Sequence, residues 1–168
     1  VIVSQVISSN LFGNSFFDRQ LLDRGIDLKF GRGKFSLSQA RVVERAHNDF
    51  VSTPTHSTVA AVLKLLSEAG QTEAYCLSQE GNLEGKLSII HLMGADKDQA
   101  VREIMDRRPL RLKSDQNMLE AIDVASGFVG ETIPVIEEPS GKMIGVVSES
   151  DLFSAYLDIQ EKIQDVEK

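Results

Sequence analysis

The sequence predicts an α/β (α+β) fold made of two similar units, each ordered β-α-β-β-α, that pack face to face as a pseudo-symmetric pair. The first observation is an internal repeat: residues 61–92 match residues 121–152 at seven of 32 positions when the chain is shifted by 60. Ordinary residue usage would give about two such identities. The second is composition, because 42% apolar and 26% charged residues in a chain of 168 suit a globular core. The third is size, since a unit of about 60 residues is marginal alone and gains stability by sharing a core.

In the first half, a strand is predicted at 50–53 and a helix at about 58–69, where apolar residues recur at helical spacing after a cap at Ser57 or Thr55. Gly70 stands where that helix ends. A hairpin with strands 74–77 and 83–87 follows, and a second helix begins at Ser88.

The second half repeats this order. We expect a strand at 110–113, a helix after Asp115 that ends at Gly130, hairpin strands at 133–137 and 143–147, and a last helix from Ser148 into the charged tail.

The expected domain limits are 1–35 for an N-terminal helix and linker, 36–94 for the first unit and 95–168 for the second. A short amphipathic helix is predicted from Asn14 or Ser15 to Gly25, and the glycines of 31–34 predict a flexible joint.

Composition excludes several function classes. The net charge of −7 disfavours a nucleic-acid partner, because neutralising phosphates needs a basic face. The single cysteine, Cys76, excludes an internal disulfide and a cysteine zinc cluster, fits a reducing compartment, and is expected to be inert packing on a buried strand. The three histidines lack metal-ligand spacing, and no set of nucleophile, acid and base is recognisable, so neither a metal site nor an enzyme is predicted.

The most informative segment is 145–151, a strand that runs into a helix N-terminus. Free backbone N–H groups there favour an anion, and Ser148 can add a donor to a phosphate. Asp151, one turn later, can accept hydrogen bonds from ribose hydroxyls. The alternative is that Ser148 and Asp151 form a capping box that only satisfies the helix end. The spacing alone favours the cap.

This repeat resembles the CBS domain. The carrying residues are Ile133-Pro134-Val135-Ile136 and Gly141 to Leu152, with Val101 to Met105 similar to the lead-in of a CBS unit. CBS units occur in pairs, so the resemblance implies a module that senses an adenine nucleotide (ATP, ADP or AMP) in a cleft between the halves. It places Ser148 on the phosphate side, Asp151 on the ribose and Thr53 near the same ligand.

The first half departs from the family pattern. His91 stands where the ribose carboxylate is expected, and Ala74 stands where the second half has Pro134. Because an imidazole offers one acceptor where a carboxylate offers two oxygens, the resemblance implies that one of the two clefts is silent.

Residues 11–26 resemble the end of the membrane domain of ClC chloride channels and transporters, in which the last membrane helix leads into a cytoplasmic CBS pair. The chain would then be a regulatory fragment on the cytoplasmic face of the membrane, whose partners are the membrane domain and a second copy of the chain. Phe17 stands near the pore-facing position of that family. The exposed aromatic and aliphatic residues of 12–22 predict a homodimer.

Three other hypotheses stay open at this point. The pair could regulate another membrane or soluble protein, such as a magnesium or cobalt efflux protein. It could serve only as a dimerisation plate without a ligand. An enzyme is the third and lacks the required residues.

Overall fold

The computed structural model describes residues 31–166. It begins with helix α1, Gly31–Gln39, followed by a 3-10 turn at Val42–Arg45. The prediction of a flexible joint at 31–34 is therefore wrong. Leu37 is fully buried in the core of the second unit, and α1 packs on two helices of that unit. Tertiary burial thus outweighs the poor helix propensity of the two glycines. The predicted domain limit at residue 35 falls inside this helix, whereas the predicted helix at 14–25 lies outside the described residues.

The first unit contains one three-stranded sheet and two helices. Its elements are β1 Val51–Thr53, α2 Val59–Ala69, β2 Glu73–Leu77, β3 Leu83–Ser88 and α3 Ile89–Met93. Strand β1 runs parallel to β2, and β2 runs antiparallel to β3. The predicted order of the first half is confirmed.

The second unit repeats this arrangement. Its elements are a 3-10 turn at Val101–Glu103, β4 Leu112–Lys113, α4 Met118–Ala125, β5 Thr132–Glu137, β6 Lys142–Ser148 and α5 Glu149–Val166. Strand β4 runs parallel to β5, and β5 runs antiparallel to β6. No helix in the described part of the chain is both long and apolar enough to cross a membrane.

The helix ends differ from prediction at two points. Thr58, rather than Ser57 or Thr55, caps α2, and its hydroxyl accepts from the backbone N–H of Ala61. Gly70 ends α2 in the left-handed conformation (φ 66°), as predicted. Gly130 does not end α4, which stops at Ala125. Phe128, which follows this helix, packs on the core, and its ring lies 5.0 Å from Lys86 Nζ.

The segments that precede each unit are exchanged between the two sheets. Arg41 and His47 form isolated bridges with Asn117 and Val146 of the second unit. In the same way, Ala100 and Asp106 bridge Thr58 and Lys86 of the first unit. Each unit is therefore preceded by a lead-in segment, 41–47 or 100–106, that pairs with the other unit.

This exchange explains two of the repeated glycines. A Cβ on Gly85 would lie 2.9 Å from the carbonyl oxygen of Asp106, and a Cβ on Gly145 would lie 2.9 Å from that of His47. Both positions need a residue without a side chain because the exchanged backbone passes directly over them.

The apolar core has one part inside each unit and a third part between them. The inter-unit part combines buried side chains of both sheets with three half-buried neighbours: Tyr75, Ile136, Met143, Val146, Phe50, Leu77 and Leu83. Facing backbones add to it, because the N–H of Leu83 donates to the carbonyl of Gly141, and the N–H of Met143 donates to that of Gly81. The two units therefore pack through their sheets and hairpins, as the shared-core prediction requires.

Candidate functional site

The segment singled out in the sequence forms the junction between β6 and α5. Asp151 Oδ2 accepts from the backbone N–H of Ser148 at 2.7 Å and from its hydroxyl at 2.6 Å. In return, Ser148 Oγ accepts from the N–H of Asp151 at 3.1 Å. These are the reciprocal bonds of a capping box. Ser148 and Asp151 lie together, as the spacing predicted, and both are half-buried.

A third donor reaches the same carboxylate oxygen. His47 Nε2 lies 3.2 Å from Asp151 Oδ2, and the two side chains are 39% and 31% exposed. The backbone N–H of Asp49 points to His47 Nδ1 at 3.4 Å, so Nδ1 is the acceptor and Nε2 carries the proton. Sequence reasoning missed His47 because it lies 104 residues from Asp151. The exchanged lead-in segment brings His47 and Asp151 together, because His47 pairs with Val146 of the second unit.

The environment of Asp151 favours its charged form. Burial raises the pKa of this carboxyl, but the two hydrogen bonds from Ser148 and the contact with His47 together outweigh that effect. The pKa of Asp151 therefore lies below its ordinary value, and the group is a carboxylate at neutral pH. An ionised acceptor at a helix N-terminus, next to free backbone N–H groups, can bind a polar ligand that carries both hydroxyls and an anion.

Thr53, the third predicted nucleotide residue, lies at the end of β1 and is buried. Its hydroxyl donates to Ser57 Oγ at 2.8 Å, with a weaker contact to the carbonyl of Pro54. Both partners belong to the loop that follows β1, so these bonds do not join Thr53 to Ser148 or Asp151. Phe17, the predicted ion-pathway residue, lies outside the described residues.

The corresponding junction of the first unit lies beside a cavity of about 540 Å³. His91 takes the capping position of Asp151 here, and its Nδ1 lies 3.3 Å from both the N–H and the hydroxyl of Ser88. The cavity spans both units: Glu73, Lys86, Ser88, His91, Asp106, Pro109, Leu110, Val124, Gly127, Phe128 and Val129. Its volume is within the range of small-molecule pockets. The cleft predicted to be silent is thus an open space with polar and apolar walls.

A buried polar cluster joins the units at the base of this cavity. Lys86 Nζ lies 2.8 Å from Glu73 Oε2 and donates to the carbonyl of Thr132 at 2.8 Å. Glu73 accepts from the N–H of Thr132, and the hydroxyl of Tyr75 also bonds to Thr132. Lys86 and Glu73 are about nine-tenths buried. A buried pair with this many partners fixes the geometry between units, because each charge is costly without the other.

Other predicted features can be placed as well. Cys76 is buried on β2, and burial, with a smaller contribution from Glu84, raises the pKa of its thiol to about 12, so it is not a reactive thiolate. Within residues 31–166, no group of three or more His, Cys, Asp or Glu side chains is arranged to hold a metal ion.

Residues 101–158 match the family model of the CBS domain. Among curated proteins, the chain is 29% identical over 123 residues to the A-adding tRNA nucleotidyltransferase of Aquifex aeolicus and 27% identical over 109 residues to the magnesium transporter MgtE of Thermus thermophilus. These matches extend over 68% and 62% of this chain, but over only 15% and 24% of the two relatives.

Solved structures share the fold of both units. The cytosolic domain of the Mg²⁺ channel MgtE in complex with ATP superposes with a TM-score of 0.64 at 23% identity, covering 71% of this chain and 50% of that one. CBSX2 in complex with AMP has a TM-score of 0.64 at 20% identity and covers 72% and 98%. CBSX2 from Arabidopsis thaliana is described as a CBS-pair protein. Residues 101–158 match the CBS family model and a second unit of the same topology packs against them, so this chain has the fold of a CBS domain pair.

Proposed function

We propose that this CBS pair is a regulatory module that binds an adenine nucleotide at the β6–α5 junction. The observation that carries the proposal is the ionised Asp151 beside Ser148 at the start of α5. Two proteins of the same fold have structures described as complexes with ATP and AMP. Asp151 accepts the ribose hydroxyls, Ser148 and the first N–H groups of α5 lie on the phosphate side, and Thr53 contributes from the first unit.

The regulated domain is proposed to be a transport domain in the membrane, with this pair on its cytoplasmic side. The similarity of residues 11–26 to the end of ClC membrane domains supports a chloride channel or transporter. The match to MgtE, which extends over sequence and fold, supports the alternative of another transport protein, such as one of the magnesium or cobalt efflux type. In either case nucleotide binding acts by preferring one state of the transporter. The homodimer predicted from residues 12–22 is part of this proposal.

Calorimetric titration with ATP, ADP and AMP tests the nucleotide site. We expect Asp151→Ala to weaken binding by about 10- to 100-fold, because hydrogen bonds to a charged group contribute about 1.5–3 kcal/mol. Unchanged affinity in this variant would reject the ribose role of Asp151.

A matched control separates ligand contact from helix capping. Glu120 closes the capping box of α4 as Asp151 closes that of α5, and its Oε2 accepts from the N–H of Asn117. Asp151→Ala and Glu120→Ala should therefore each lower the free energy of unfolding by about 1 kcal/mol. Glu120→Ala should leave nucleotide affinity unchanged. Equal losses of affinity in both variants would show that the effect is on stability only.

A further inference from the structure

The carboxylate proposed to bind ribose is already engaged, and its hydrogen bonds within residues 31–166 fall on one oxygen. Oδ2 of Asp151 accepts from the N–H of Ser148, from its hydroxyl and from His47 Nε2. A carboxylate oxygen has two lone pairs, so three donors already crowd Oδ2. Oδ1 can accept one ribose hydroxyl, but a diol that bridges both carboxylate oxygens brings its second hydroxyl to Oδ2, where one of the present donors must leave.

The three donors differ in what holds them. The two from Ser148 are 2.7 and 2.6 Å long and close the cap of α5, so their loss would leave a helix end unsatisfied. The His47 contact is the longest, at 3.2 Å, and its ring is 39% exposed. When the His47 ring turns away, water can replace Asp151 as its hydrogen-bond partner. The backbone of His47 stays in place through its two hydrogen bonds with Val146.

The other cleft provides an internal comparison. Asp106 occupies the lead-in position that corresponds to His47, and His91 occupies the capping position that corresponds to Asp151. The same two residue types are thus present with their positions interchanged. Among the ion pairs of residues 31–166, none joins Asp106 to His91. Both residues line the 540 Å³ cavity instead. In this cleft the side chain of Asp106 is not paired with His91, and a cavity lies between the two units beside them.

We infer that His47 is a built-in competitor for the ribose position. Its imidazole holds Asp151 until a nucleotide displaces it, so it sets the affinity of the site. The inference rests on the proposed nucleotide site.

Two substitutions and one spectroscopic measurement on the full chain test this role. His47→Ala removes the competitor and should tighten ATP binding by about five- to tenfold. A single partly exposed hydrogen bond favours the arrangement in which His47 is bound to Asp151 by about this ratio. His47→Gln retains an N–H donor and should bind ATP with nearly wild-type affinity. In NMR spectra of the histidine ring nitrogens, ATP should shift the signals of His47.

The possible results distinguish this inference from the proposed function. If the wild type binds ATP and His47→Ala binds it with equal or weaker affinity, the competitor role is overturned and the nucleotide site stands. The same holds if ATP binds without moving the NMR signals of His47. Absence of binding of ATP, ADP and AMP to both the wild type and His47→Ala would overturn the nucleotide site and the inference together. Thermal unfolding of each variant checks that it is folded.

Discussion

Substitution of Gly145 by alanine tests the exchange of lead-in segments, in which residues before each unit pair with the edge strand of the other. The backbone at this glycine has no left-handed φ, so alanine meets only a steric obstacle. The new Cβ would lie 2.9 Å from the carbonyl oxygen of His47 and 3.2 Å from the Cβ of Ala46. Ordinary contacts begin near 3.5 Å, so the lead-in segment must move outward by roughly 0.5 Å.

The free-energy cost follows from what that displacement breaks. The backbone of His47 donates to Val146 O at 3.0 Å and accepts from Val146 N at 2.9 Å, and a shift of this size takes both bonds beyond the usual 2.7–3.2 Å range. Overpacking costs about 1–3 kcal/mol, and each weakened bond costs up to about 1 kcal/mol. We expect Gly145→Ala to lower the free energy of unfolding by about 2–3 kcal/mol and Tm by about 5–10 °C.

Chemical and thermal unfolding followed by circular dichroism measure this change, with Gly127→Ala as the matched control. A Cβ at Gly127 meets no atom within 4 Å, and the lower entropy of the unfolded chain makes the substitution neutral or stabilising by up to about 1 kcal/mol. If Gly145→Ala and Gly127→Ala unfold at the same denaturant concentration, the lead-in segment does not pack over Gly145 and the explanation of the repeated glycines is wrong.

Two further predictions concern buried groups. Glu73→Gln should lower the free energy of unfolding by about 3–5 kcal/mol because the amine of Lys86 is then buried without its carboxylate. The double variant Glu73→Gln, Lys86→Met should lose less in denaturant unfolding than the sum of the single variants, and additive losses would show that the two charges are not coupled. For Cys76, burial raises the thiol pKa to about 12, so the neutral form stabilises the fold, fully below the unfolded pKa of about 8.5 and less as pH rises towards 12. Cys76→Ala should flatten the decline in stability above pH 8.5, and a thiol reagent should label wild-type Cys76 only on unfolding; rapid labelling of the folded protein would contradict its burial.

Local patterns in the sequence predicted the elements of each unit. The repeated glycines, apolar spacing and turn residues indicated the order β-α-β-β-α, and the structure confirms it in both halves. The Ser148–Asp151 pair could be predicted because both partners of a capping box lie within one helical turn. Periodicity and capping depend on neighbours a few residues apart, and for this reason they can be read from the sequence alone.

Tertiary structure decided the features that depend on distant residues. The glycines of 31–34 predicted a joint, but burial of Leu37 against the second unit makes this segment helical. The contact of His47 with Asp151 joins residues 104 apart. It depends on the lead-in segment of the first unit, in which His47 pairs with Val146 of the second unit. Nothing near either residue in the chain encodes that crossing, because it follows from the way two small units bury their sheets against each other.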